Sequence, residues 1–121
     1  MNEQKNKKQW PAELDALTAS PEYHKLLFEN EFVRVLDTHI AAGKITNVHM
    51  HQYPASLYIV SWSDFIRYDA EGNIMVDSKA SGLSAAAGSV LWSEPLAPHA
   101  VKNIGENDLH VISVELKNKN E

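Results

Sequence analysis

Beyond Pro21, the side chains along the sequence alternate with a period of two. The stretch FVRVLDTHI, residues 32–40, shows this alternation before it runs into Gly43. Six further short runs are rich in valine, isoleucine and aromatic residues: SLYIVSW, DFIRY, NIMVDSK, SVLWS, HAVKNI and LHVISVEL. Successive side chains of a strand point to opposite faces, so this period predicts β-strands throughout the body of the chain.

Turn-forming residues separate these runs at regular intervals. The segment DAEGN, residues 69–73, predicts a hairpin, and the segments AAG and GEND mark two further turns. Many short strands at steps of roughly 8 to 12 residues are typical of a sandwich or a small barrel. The pattern therefore predicts an all-β domain.

A short helix is predicted ahead of the strands, from Ala12 to Ala19. Pro11 suits its first turn, and Glu13 and Asp15 suit the positive end of its dipole. Pro21 ends it, because a proline cannot continue the helical hydrogen bonding.

Composition and charge narrow the classes of function. With 121 residues the chain is expected to form one domain with a single core. Its 11 basic and 16 acidic residues give a net charge of −5, which argues against a nucleic-acid partner, because such surfaces need clustered cations. There is no cysteine, so disulfides, thiolate ligands and a cysteine nucleophile are excluded. No signal peptide is recognisable and no apolar run approaches the roughly 20 residues that span a bilayer, so we expect a cytoplasmic protein without a membrane partner.

Two of the six histidines, His49 and His51, are separated by one residue. On a strand such residues project to the same face, whereas on a helix they would point about 200° apart. The pair can therefore chelate a metal only in an extended chain, which the strand pattern predicts. A third ligand has to come from elsewhere in the sequence.

A second stretch, GSVLWSEPLAPHAVKN, contains a glycine followed after ten residues by a histidine and after three more by an asparagine. With both stretches the sequence resembles the cupin superfamily, whose motifs run G-x5-H-x-H-x3/4-E-x6-G and G-x5-P-x-G-x2-H-x3-N. Six of the ten fixed positions agree: Gly43, His49 and His51 in the first motif, and Gly88, His99 and Asn103 in the second. The resemblance implies a cupin double-stranded β-helix, a jelly-roll-like small barrel, over residues 30–117. Residues 1–29 would form an N-terminal extension with the short helix, and residues 118–121 a polar tail.

The departures from the motifs concern the chemistry of the site. The glutamate of the first motif should fall at position 55 or 56, which are Ala55 and Ser56 here. In the second motif, Glu94 and Leu96 replace the usual proline and glycine. The resemblance therefore implies the fold, together with a metal site that lacks its usual carboxylate.

Without that carboxylate, the resemblance implies a metal held by His49, His51 and His99. Three neutral imidazoles around a dication leave residual positive charge, which favours an anionic ligand such as a carboxylate, an enolate or a thiolate. Such sites occur in cupin-like iron dioxygenases, so iron is the first expectation, and zinc, nickel and manganese stay open. The alternative that these histidines are hydrogen-bonded inside a metal-free barrel also stays open.

Five further positions or groups of residues are candidates for the site or its surroundings. Tyr53 adjoins the histidine pair, and Arg67, if it points inward, would bind a substrate carboxylate; we interpret both as substrate-orienting residues. Glu94 is interpreted as a solvated loop residue rather than a ligand. Glu115 follows the alternation of the last strand, so a buried carboxylate is conceivable there. The histidines that match neither motif are interpreted as surface or partly buried residues: His24, His39 and His110.

Two classes of function remain. The first is a metal-dependent enzyme, dioxygenase-like or of lyase/isomerase type, acting on a small anionic molecule. The second is a non-catalytic small-molecule-binding cupin with a vestigial or empty metal site. In either case we expect a homodimer, because an isolated small barrel exposes an edge strand.

Overall fold

The computed structural model describes residues 10–117, and within them nine strands form two antiparallel sheets. The strands are β1 (His24–Glu29), β2 (Val33–Ile40), β3 (His49–His51), β4 (Ala55–Ser61), β5 (Phe65–Asp69), β6 (Ile74–Asp77), β7 (Val90–Ser93), β8 (Leu96–Asn103) and β9 (Leu109–Leu116). Two one-turn helices, α1 (Ala16–Ala19) and α2 (Ser78–Ser81), accompany them. The prediction of an all-β domain with a short N-terminal helix is confirmed.

The strand order shows how distant segments come together. One sheet has the order β1-β2-β9-β4-β7, and the other has the order β3-β8-β5-β6. Buried aliphatic side chains from the first sheet fill the core, among them Leu36, Ile40 and Ile59. Side chains from both sheets also line a cavity of about 650 Å³. The fold is therefore two sheets with a cavity between them.

The N-terminal helix differs in detail from the sequence prediction. A single 3-10 turn covers Ala12–Leu14, and α1 starts only after Asp15, whose backbone is extended. The Asp15 carboxylate accepts a hydrogen bond from the backbone N–H of Leu17 and caps α1. It also binds the guanidinium of Arg34, so a contact with the sheet interrupts what the local pattern predicts as one helix.

The first strand lies inside the range that the sequence assigned to an extension. β1 pairs with β2 along its length, with His24 opposite Thr38 and Glu29 opposite Arg34. It is therefore an edge strand of the five-stranded sheet. The tail predicted at residues 118–121 and the first nine residues lie outside the described part of the chain.

The turns form at the positions that the turn residues predict. The backbone N–H of Asp69 donates to the carbonyl of Asn73, which closes the hairpin between β5 and β6. Gly43 and Gly88, with φ of 82° and 90°, adopt left-handed conformations that disfavour other residues. No helix among the described residues has the length and apolar character needed to cross a bilayer.

Candidate metal centre

The two motif histidines of β3 meet the third across a strand pair. β3 is extended, as the spacing of the pair requires, and His49 lies directly opposite His99 of β8. The ring centroid of His99 is 4.4 Å from that of His49 and 5.6 Å from that of His51. The rings of the three histidines that the resemblance implied as ligands therefore lie in one cluster, although His99 does not belong to the set of ligand nitrogens that all lie within 4.8 Å of one another.

A fourth histidine joins this cluster from the other sheet. His24, the first residue of β1, is only 5% exposed, and its ring centroid lies 4.5 Å from His49 and 5.6 Å from His51. One nitrogen of each of His24, His49 and His51 lies within 4.8 Å of those of the other two. Two imidazole nitrogens bound to one ion at about 2.1 Å each are at most about 4.2 Å apart, so only a small contraction would seat an ion.

All four rings are held through the same nitrogen. The acceptor near each Nδ1 is the carbonyl of Ser20 at 2.9 Å for His24, of Asn47 at 2.8 Å for His49 and of Ala97 at 2.7 Å for His99, and the carboxylate of Glu115 at 3.2 Å for His51. A carbonyl oxygen only accepts, so Nδ1 carries the proton and the lone pair falls on Nε2. Metal-bound histidines use this arrangement, with the other ring nitrogen donating to a carbonyl or carboxylate. The donor set therefore fits a transition metal.

Burial keeps three of these four rings neutral, those of His24, His49 and His99. Burial lowers the pKa of His49 to about 2, of His99 to about 3 and of His24 to about 4, and repulsion between the neighbouring imidazoles contributes in each case. A metal competes with protons for imidazole lone pairs. In this cluster the lone pairs of these three rings are available at neutral pH.

A buried ionic network holds one of the ligands in place. The Glu115 side chain of β9 is 1% exposed; its Oε2 lies 3.2 Å from Nδ1 of His51, and its Oε1 accepts a 2.8 Å hydrogen bond from Nε of Arg34. The other guanidinium nitrogens of Arg34 donate to both carboxylate oxygens of Asp15. The network therefore links the N-terminal turn to the histidine cluster. It also explains why the alternation of β9 places a buried carboxylate at Glu115.

Replacing Glu115 by glutamine tests the effect of this network on His51. The amide keeps the shape and loses the charge that favours the Nδ1–H tautomer, so we expect metal affinity to fall about 10- to 100-fold. Chelator competition with the wild type and the Glu115→Gln variant measures the change. An unchanged affinity in a folded variant would show that the carboxylate has only a packing role.

Both residues that were predicted to orient a substrate, Tyr53 and Arg67, line the cavity. Arg67 belongs to β5, and aromatic and aliphatic side chains such as Trp62, Phe65 and Leu57 line the same cavity. Within the described residues no carboxylate pairs with Arg67, and burial lowers the pKa of its guanidinium, which stays protonated at neutral pH. The ring of Tyr53 also lies under the guanidinium of Arg34, at 5.7 Å from its centroid, so this residue packs against the ionic network.

Several solved structures share this architecture. A cupin domain from Bordetella pertussis Tohama I aligns with a TM-score of 0.62 and 17% identity over 78% of this chain and 92% of that chain. An RmlC-like cupin family protein with a double-stranded β-helix fold from Methanocaldococcus jannaschii gives 0.54 and 13% over 77% of each chain. An uncharacterized conserved protein with a double-stranded β-helix domain from Klebsiella pneumoniae gives 0.52 and 17%, over 77% of this chain and 70% of that chain. The chain has the cupin fold. No family model matches the sequence, and no curated protein matches it either.

The resemblance that the two motifs indicated is thus confirmed for the fold. Ala55, at the position where the first motif has its glutamate, is buried in the cavity wall. Its methyl side chain offers no ligand atom, as the sequence implied. Glu94 is exposed and accepts a 2.6 Å hydrogen bond from Nε1 of Trp92, in agreement with its interpretation as a loop residue. Asn103 is fully buried, and its side chain bonds the backbone of Ile40, which is a structural role.

The histidines outside the motifs divide into two kinds in the cupin fold. His39 and His110 stack at 4.5 Å and pair with Asp108 and Asp37, and neither lines the cavity. His24 is the residue that sequence reasoning missed. It is the first residue of β1, a strand that the sequence pattern did not predict, and no known motif surrounds it. The only local hint is Pro21, which ends the helix and so allows a strand to begin near His24.

Proposed function

We propose that this protein is a small metal-dependent enzyme, dioxygenase-like or of lyase/isomerase type, that acts on a small anionic molecule. The observation that carries the proposal is the convergence of histidine side chains, each with Nδ1 anchored, on a cavity between the two sheets. Each anchored ring leaves a lone pair on Nε2, and none of these nitrogens is fully buried within the described residues, so a cation that enters the cavity can reach them.

The donor set supports a transition metal. Imidazole nitrogen suits iron, zinc, nickel and copper, whereas calcium and magnesium prefer oxygen ligands. We propose iron bound by His49, His51 and His99, with zinc, nickel and manganese as alternatives. Such a bound ion would supply Lewis-acid activation of an oxygen atom and, where it is redox-active, chemistry with dioxygen.

The remaining cavity residues support the choice of an anionic ligand. Arg67 presents five N–H donors in a fork that matches a carboxylate, and it has no acidic partner within the described chain. The aromatic rings of Trp62 and Phe65 provide an apolar surface that excludes water from the bound molecule. We propose that Arg67 binds the negative charge and that Tyr53 helps to orient the ligand.

Metal analysis followed by ligand titration tests the proposal. The purified protein should contain, or take up, close to one equivalent of a transition metal. Benzoate should then bind the Co²⁺-loaded protein and shift its visible absorption, while neutral benzamide should bind more weakly. Because a charged hydrogen bond is lost, Arg67→Met should weaken benzoate binding by about 10- to 100-fold and leave benzamide unaffected.

Two results would contradict the proposal. A protein that takes up none of Fe²⁺, Zn²⁺, Ni²⁺ and Mn²⁺ would rule out the metal site. Equal affinities of wild type and Arg67→Met for benzoate would rule out Arg67 as the anion-binding group. Arg67→Lys is the matched control, since it keeps the positive charge and should retain part of the preference for benzoate.

A specific observation favours the second class, a non-catalytic small-molecule-binding cupin. Both acidic residues that line the cavity are already engaged, Glu94 with Trp92 and Glu115 with Arg34. Neither is free to act as a general base. Stoichiometric metal and ligand binding without turnover of any bound anion would support this alternative.

We also propose a homodimer. Within the described residues, β1 and β7 form the edges of the five-stranded sheet, and both expose apolar side chains: Leu26, Phe28, Val90 and Trp92. Unpaired strand edges of this kind are surfaces through which sheets associate. The cytoplasmic location and the lack of nucleic-acid and membrane partners stay predictions of the sequence.

A further inference from the structure

His24 extends from one sheet to the histidine cluster of the other. It belongs to the five-stranded sheet, whereas His49, His51 and His99 belong to the other sheet. Its ring nevertheless crosses the space between the sheets and lies against His49 and His51, at centroid distances of 4.5 and 5.6 Å. The compact set of nitrogens within 4.8 Å of one another contains His24 together with the β3 pair.

The hydrogen bond of His24 determines which of its two ring nitrogens can bind a metal. Its Nδ1 lies 2.9 Å from the carbonyl oxygen of Ser20, which can only accept, so Nδ1 carries the proton. The second nitrogen, Nε2, therefore carries a lone pair. Within residues 10–117 no donor reaches it, and the side chain is buried.

The same arrangement recurs in its neighbours. His49 has its Nδ1 at 2.8 Å from the carbonyl of Asn47, which also leaves a lone pair on Nε2. Neutral rings whose lone pairs face one another repel, and none of them can donate to another. A metal cation satisfies all of these lone pairs together.

We propose that His24 is a metal ligand, so that the centre consists of His24, His49, His51 and His99. This inference rests on the metal site of the proposed function and extends it by one ligand from the N-terminal strand. Four imidazoles would complete a tetrahedral shell, whereas an octahedral shell would keep two open positions. The four-histidine site therefore selects a metal that accepts six ligands, such as Fe²⁺, if the anionic ligand is to bind the ion directly.

The variant His24→Asn isolates the contribution of Nε2. The amide nitrogen of asparagine takes the place of Nδ1 and keeps the hydrogen bond to Ser20, while the ligand atom is lost. His39→Asn is the matched control, because His39 lies outside the cavity and pairs with Asp108. Co²⁺ and Zn²⁺ affinities are measured by chelator competition, and circular dichroism checks that each variant is folded.

Because a ligand would be lost, we expect His24→Asn to lower the metal affinity by more than about 100-fold, beyond what outer contacts cost, and to change the visible spectrum of the Co²⁺ protein, while His39→Asn does neither. X-ray absorption of the Zn²⁺-loaded wild type counts the bound imidazoles without any substitution, and we expect four. Equal affinity and spectrum in His24→Asn would overturn His24 as a ligand and leave the three-histidine site standing. Three imidazoles in the wild type together with a lowered affinity of His24→Asn would instead overturn the four-histidine centre in favour of the compact set of His24, His49 and His51. A wild type that binds no metal would overturn both.

Discussion

Replacing His49 by asparagine is expected to abolish stoichiometric metal binding while leaving the fold intact. The ring of His49 is the centre of the cluster, with centroids of His24, His51 and His99 at 4.5, 5.0 and 4.4 Å. Asparagine retains a donor for the carbonyl of Asn47 and removes Nε2. Because a ligand is lost rather than an outer contact, affinity should fall by more than about 100-fold, the upper end of what outer contacts cost.

Elemental analysis of wild type and His49→Asn after the same metal reconstitution measures this effect. His110→Asn is the control, since His110 stacks on His39 away from the cavity and should retain full metal content. Equal metal in His49→Asn and wild type would place the ion elsewhere in the protein and would remove the basis of the proposed site.

Acid is expected to destabilise the metal-free protein strongly between pH 6.5 and 5. Burial holds the pKa of His49 at about 2, of His99 at about 3 and of His24 at about 4 in the folded state. In the unfolded chain the same groups protonate near pH 6.5. Below that pH the unfolded chain binds more protons than the folded protein, so the free energy of unfolding decreases as the pH falls.

The size of this effect follows from the number of groups. Well below pH 6.5 each group lowers the free energy of unfolding by about 1.4 kcal/mol per pH unit and at pH 6.5 by about half that, so three groups contribute about 5 kcal/mol between pH 6.5 and 5. That is comparable with the whole stability of about 5–15 kcal/mol of a typical domain. Urea unfolding of EDTA-treated protein at pH 7, 6 and 5 measures the change. His24→Asn should reduce the pH dependence by about a third, because one of the three groups is removed. A midpoint that does not change over this range would contradict the lowered pKa values.

Two parts of the site were accessible from the sequence for different reasons. The pair on β3 depends only on the alternation of a strand, which places residues i and i+2 on one face. His99 has no such local relation to the pair, and it was found because the spacing from Gly88 to Asn103 resembles a known motif. Arg67 was expected to bind an anion only if it pointed inward, and its place in the cavity wall is a property of the closed sheets.

By itself, the sequence determined the all-β class, the hairpin between β5 and β6 and three of the four clustered histidines, because alternation, turn chemistry and motif spacing can be read along the chain. The tertiary structure alone decided that His24 faces this cluster and that Glu115 joins His51 to Arg34. The contacts of His24 with the cluster and of Glu115 with His51 connect the two sheets, whereas Glu115 and Arg34 face each other on the paired strands β9 and β2 of one sheet. All of these residues are far apart in sequence, and no pattern within a single segment specifies which side chains then meet.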